Sequence, residues 1–184
     1  MKKIIGRYKI KVKSETEPDS PRNWDNLGTM VCFHKRYDLG DKHNYSFNDY
    51  SGWDEMEKAI IKRENVGVIL PLYLLDHSGI TISTTDFNDR WDSGRIGFIF
   101  ISKDKMLKEY GGKICTKQLK ERVKEYLVSE VKTYDQYLRG EVYGFQIFDK
   151  YNNEIDSCWG FYDKNECMKA AEECVPEQVL PEQV

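Results

Sequence analysis

The stretch TKQLKERVKEYLVSEVKTYDQYLRGEVYGFQIFDKYNNEIDSCWGFYDKNE, residues 116–166, decides the fold class. In its first half Leu119, Val123, Tyr126, Leu127, Val131, Tyr134 and Leu138 recur at steps of three and four, opened by Thr116 and stopped by Gly140. That spacing predicts one long amphipathic helix. The second half changes period. Val142 to Phe148 and Ile155 to Tyr162 flank Asn152-Asn153, which predicts a hairpin. Asp163 and Glu166 then form a capping-box pair for a last helix reaching Cys174. A helix feeding an antiparallel pair, with no repeated βαβ unit, points to α+β.

Upstream, Lys3 to Lys13 alternates, with Ile4, Tyr8, Ile10 and Val12 assigned to one face of a half-buried strand. Ser20-Pro21 predicts a short helix start, and Thr29 to His34 a second strand. Ser51 is the expected cap of a helix over Trp53 to Asn65, with Met56, Ile60 and Ile61 as its apolar stripe. Val66 to Leu75 is an apolar run containing Pro71, so a strand there belongs at an edge or a bulge. Ile80 to Ser83 and Arg95 to Ile101 follow as strands, and Ser102 as the cap of a short helix ending at Gly111-Gly112. The expectation is one α+β domain over residues 1–175, mostly antiparallel sheet with three to four helices. Residues 176–184, with their repeated PEQV, are expected to form a frayed tail.

Composition narrows the function classes. Aromatics are 13% of the 184 residues, which disordered chains lack, and the net charge of −3 is too small to mark a nucleic-acid binder as a whole. No segment approaches the roughly 20 apolar residues needed to cross a bilayer, so a soluble, cytoplasmic protein without membrane partners is expected. The five cysteines are scattered without a CxxC pair and read as reduced, buried thiols. Trp24, Trp91 and Trp159 are expected in the core or at its rim.

Catalytic patterns are wanting. Asp76-His77-Ser78 has the letters of a hydrolytic triad, but neighbours on a strand point to opposite faces and cannot form the relay. The loop Asp86 to Asp92 lacks the glycine and distal glutamate of a calcium loop. Asp25, Asp76 and Asp92 remain as scattered carboxylates for a metal-dependent hydrolase, the weakest of three readings. The expectation is therefore a non-enzymatic binding protein with no metal and no cofactor.

Two stretches carry the binding readings. The first is the cationic face assigned to Lys3, Arg7, Lys9, Lys11 and Lys13, spaced about 6–7 Å apart along a strand and suited to a phosphate backbone. Lysines also protect sheet edges from pairing with other edges, and that role explains the same pattern. The second is the acidic, aromatic segment from Tyr37 to Glu57. Tyr37, Tyr45, Tyr50 and Trp53 are candidate anchors, and Asp38, Asp41, Asp49 and Asp54 candidate partners for arginines on a basic protein. Equally, those rings can pin the loop to its own core while the acids stay solvated.

SPRNWDNLGTMVCFHKRYDLGD (20–41), LPLYLLDHSGITISTTDF (70–87), WDSGRIGFIF (91–100), TYDQYLRGEVYGF (133–145) and DSCWGFY (156–162) together carry a resemblance. The chain resembles, from Ser20 to Tyr162, a family of small proteins of phages and mobile elements connected with inhibition of type II CRISPR effector nucleases. The resemblance implies a partner, the effector with its guide RNA, and supplies no catalytic residues. It implies docking of the acidic segment where DNA or a mobile nuclease domain belongs. Charge reversal at Asp38, Asp41 and Asp49 is then expected to weaken inhibition without unfolding. The alternative is a phage accessory protein that binds double-stranded DNA through the N-terminal strand.

Overall fold

A computed structural model describes residues 1–176, and its elements are α+β: eight strands in two antiparallel sheets and four helices among those residues. The chain separates into two compact units, 20–139 and a discontinuous one formed by 1–19 with 140 onward. The single domain expected over 1–175 thus takes the form of two units. Of the expected tail, 177–184 lie outside the described residues.

The larger unit holds a sheet in the order β3-β6-β4-β5, comprising β3 (Thr29–Cys32), β4 (Val66–Asp76), β5 (Ile80–Ser83) and β6 (Ser93–Ser102). Ile96 to Ile101 of β6 are all buried, because both faces of this sheet are covered. On one face α3 (Lys117–Leu138) lays Val123, Leu127, Val131 and Tyr134 against Leu72, Ile82 and Ile99. Met106 of α2 (Lys103–Tyr110) completes that layer. On the other, α1 (Trp53–Arg63) seats Met56 and Ile60 against Val31, Phe98 and Phe100.

The caps behave as their chemistry demands. The Thr116 and Ser102 hydroxyls accept from the backbone N–H groups of Leu119 and Lys105, and Gly111 ends α2 at a φ of 68°. Gly52, rather than Ser51, occupies the N-cap of α1, while Ser51 donates its N–H and hydroxyl to Glu55. Pro71 pairs with Phe98 on β6, and a register shift follows at Leu72/Tyr73. β5 reaches only Tyr73 to Asp76, so the strand is locally an edge at Pro71 and the missing donor costs no ladder bond. Tyr126 falls off the buried stripe of α3 and is half exposed.

The smaller unit is a sheet in the order β1-β2-β7-β8, from β1 (Lys2–Ile5), β2 (Tyr8–Ser14), β7 (Tyr143–Phe148) and β8 (Glu154–Phe161). The expected strand over Lys3 to Lys13 is in fact a hairpin. Gly6, at a φ of 56°, takes the first central position of a two-residue turn between Ile5 and Tyr8, where a left-handed backbone favours glycine. One face of the sheet is closed by α4 (Lys164–Glu173), which packs Cys167, Met168 and Ala171 on Ile10, Val12, Phe145 and Ile147. Asp163 caps α4 by accepting from Asn165 and Glu166.

Candidate functional site

Behind β3 the segment 33–53 folds back over the α1 side of the larger unit and builds an aromatic groove of about 810 Å³. Phe33 is its hub, with ring centroids 4.9 Å from His43, 5.9 Å from Phe47 and 6.2 Å from Trp53. Phe47 and Trp53 stand 4.6 Å apart, and Trp53 meets Phe98 of β6 edge-on at 5.9 Å. His34 stacks on Tyr37 at 4.8 Å. Such pairs hold one another beyond their buried area by about 0.5–1.5 kcal/mol each. The groove is therefore a preformed wall of rings.

Of the expected anchors, Tyr45, Tyr50 and Trp53 pack on the core shared with Met56 and Ile60, and Tyr37 on the core beneath α3. Tyr45 donates to Glu64 at 2.5 Å, and burial followed by that bond pushes its phenol far above the ordinary value. The acids divide. Asp38, Asp49 and Asp54 are exposed. Asp41 turns inward, accepting from Arg22 through both oxygens at 2.8 and 2.7 Å and from the Met30 N–H at 2.7 Å. Glu55 serves the start of α1, and Glu57 pairs with Arg95 at 2.8 Å. Arg95 lies over Phe98 and Trp53, 4.4 and 5.6 Å from their centroids, so a guanidinium already rests on this ring system. Lys35 and Lys42 also line the groove.

Other polar groups in and near the groove are held by burial or by partners. Burial, then the Asp41 charge, pushes the Cys32 thiol up to about 12, so it is not a thiolate nucleophile. Burial, then Arg36, lowers His34, which leaves its imidazole neutral near pH 7. Asp76 pairs with Arg36, while His77 pairs with Asp92 at 2.8 Å rather than with its sequence neighbours. Among the described residues no three acids, histidines or cysteines converge as a metal-binding group.

The His77–Asp92 pair gives a titration that can be read directly. Its hydrogen bond and charge raise His77, so the pair's support of the β4 end is fully present below the unfolded histidine value of about 6.5. That support is lost as pH rises through the folded value. NMR titration of His77 is expected to show a midpoint above about 6.5 that falls back toward it in Asp92→Asn.

The cationic set lies on the smaller unit and is split by the Gly6 turn. Lys3 points to the α4 side, where it pairs with Glu172 at 2.7 Å, and Arg7 sits in the turn. Lys9, Lys11 and Lys13 share the opposite, open face, joined there by Lys2 across from Lys11. Three tryptophans expected in the core or at its rim are exposed instead: Trp24, Trp91 and Trp159 are 52%, 92% and 39% exposed. Trp91 rides the loop before β6, where turn geometry rather than packing fixes the backbone. All five cysteines are unpaired, with Cys32 and Cys167 buried but Cys158 and Cys174 exposed, contrary to the uniform burial expected. No helix among the described residues is long and apolar enough to cross a membrane. No family model matches the chain, and neither a curated protein nor a solved structure matches it.

Proposed function

We propose that this chain acts by binding a basic protein partner in the aromatic groove, and that the partner is a type II CRISPR effector nuclease with its guide RNA, which it inhibits. The observation that carries the binding part is the wall of Phe33, Phe47 and Trp53 in a groove also lined by the exposed carboxylate Asp38, with exposed Asp49 two positions from Phe47. A partner arginine finds there both a ring face and a counter-charge, as Arg95 already does between Phe98 and Glu57. The effector's nucleic-acid channel is rich in such arginines. The identity of the partner rests on the sequence resemblance, and the non-enzymatic mechanism on the chemistry of the groove.

The test is plasmid cleavage by purified effector and guide, with and without this protein. The wild type is expected to suppress cleavage. Asp38→Lys/Asp49→Lys is expected to weaken suppression by about tenfold or more at an unchanged unfolding midpoint. Asp41 is left out of that set because its carboxylate is held by Arg22. Full suppression by the variant discards the groove, and no suppression by the wild type discards the effector.

A further inference from the structure

The smaller unit presents a surface that the groove reading does not use. On the sheet face opposite α4, register places Lys9 across from Phe148, Lys11 across from Gln146 and Lys13 across from Gly144. β8 continues the rows with Glu154, Ser157 and Trp159, and β1 adds Lys2 and Ile4. Ile4 is 75% exposed and every residue from Glu154 to Gly160 is exposed, so this face stands open.

Trp159 lies flat on the sheet. A Cβ at Gly144 would stand 2.1 and 2.4 Å from indole carbons, so the ring rests where only a glycine leaves room. Its underside is seated on Gly144 while the side chain keeps solvent-accessible ring surface. Lys13 reaches 5.8 Å from its centroid and Lys11 4.0 Å from that of Phe148. Cations on β1 and β2 thus stand beside rings on β7 and β8, over four strands that span about 14 Å.

We infer that this open sheet face binds single-stranded nucleic acid, with a base stacked on Trp159 and phosphates held by Lys9, Lys11 and Lys13. The lysines repeat every 6–7 Å or so along β2, which suits consecutive phosphates of an extended strand. A seated indole offers a π-face that an unstacked base can use and a duplex, whose bases are stacked inside, cannot. Two carboxylates border the face and both are engaged: Glu154 accepts from the Gln146 amide at 2.5 Å, and Glu15 accepts from the Gly160 N–H at 3.2 Å. The face is a platform of two ring-bearing strands and two lysine-bearing ones.

Fluorescence anisotropy with the full chain and a labelled oligothymidylate of about a dozen nucleotides tests this, beside a duplex of equal length. Binding of the single strand is expected to exceed that of the duplex. Its affinity should fall with salt at a logarithmic slope of about −2 for three phosphates. Trp159→Ala is expected to weaken it about tenfold and Trp159→Phe to restore most of it. Lys9→Glu/Lys11→Glu/Lys13→Glu should abolish binding, whereas Asp38→Lys/Asp49→Lys should leave it unchanged. No binding by the wild type at low salt, equal or tighter duplex binding, or an unaltered affinity in folded Trp159→Ala overturns the inference. The wild-type comparison of single strand with duplex needs no variant to fold.

Discussion

Arg22→Met is expected to destabilise the larger unit by about 3–5 kcal/mol, because it leaves buried carboxylates without their counter-charge. Only 5% of the Arg22 side chain and 8% of that of Glu130 are exposed. The guanidinium grips Asp41 through two bonds, reaches Glu130 at 3.4 Å and donates to the Gly28 carbonyl at 2.8 Å. Glu130 in turn accepts from the Leu27 N–H at 2.6 Å and from that of Gly28 at 3.1 Å. One arginine therefore ties the 3₁₀ turn Pro21–Asn23 to α3 and, through Asp41, to the groove segment. Burial alone would lower Arg22, but the bond to Asp41 and the two carboxylate charges outweigh it and hold the guanidinium charged.

Arg22→Lys keeps the charge without the fork and is expected to recover only part of the loss. Asp41→Lys should be as damaging as Arg22→Met, which separates it from Asp38→Lys and Asp49→Lys on the open side. pH supplies a signature. Burial raises Glu130 above the ordinary carboxylate value, against hydrogen bonds from Leu27 and Gly28 and the Arg22 charge. A raised acid favours the folded state while protonated and forfeits that advantage as pH climbs through its folded value. The deficit of Arg22→Met should consequently be largest at neutral pH and narrower under mild acid. Urea unfolding curves at both conditions measure it, and a deficit independent of pH would remove Glu130 from the account.

Gly97→Ala is the second large effect. Its Cβ would lie 1.9 Å from the Val31 carbonyl oxygen and 3.0 Å from the Cα of Cys32, both backbone atoms of β3 that cannot rotate away. Either β3 leaves the sheet or β6 bends, and the cost is expected to reach about 3 kcal/mol or more. Since β3 leads directly into Phe33, the groove should lose its hub with the strand. Gly94→Ala on the same strand is the control, because nothing stands within 4 Å of that Cβ. It should change stability by roughly 0.5 kcal/mol at most. Thermal unfolding of the two variants side by side decides whether the close approach of β3 is the cause.

Local pattern was a good guide wherever the interaction partner was close in sequence. The α3 stripe (Tyr126 apart), the Asn152-Asn153 hairpin and the caps at Ser102, Thr116 and Asp163 depend on neighbours within a few residues, and they lie where expected. Long-range pairing was hidden. Nothing around Asp41 announces that Arg22 will claim it, so an inward carboxylate reads the same as an exposed one. The cationic row looked continuous because Gly6-Arg7 keeps the alternation of letters while reversing the chain. Trp159 resembled a core residue by its type. Its place on an open face is settled by Gly144, fifteen positions away and legible only once β7 and β8 are in register.

The discontinuity of the smaller unit has a consequence for biogenesis. Residues 20–139 are contiguous, so their contacts can form as soon as that length has left the ribosome. The β1-β2 hairpin emerges before them but pairs with β7, more than a hundred residues later. Until translation delivers β7 and α4, that hairpin keeps an unpaired edge and an uncovered apolar side. A hairpin alone is marginal in water. Its lysines then keep a nascent chain from sticking to its neighbours, a duty that ends when synthesis does.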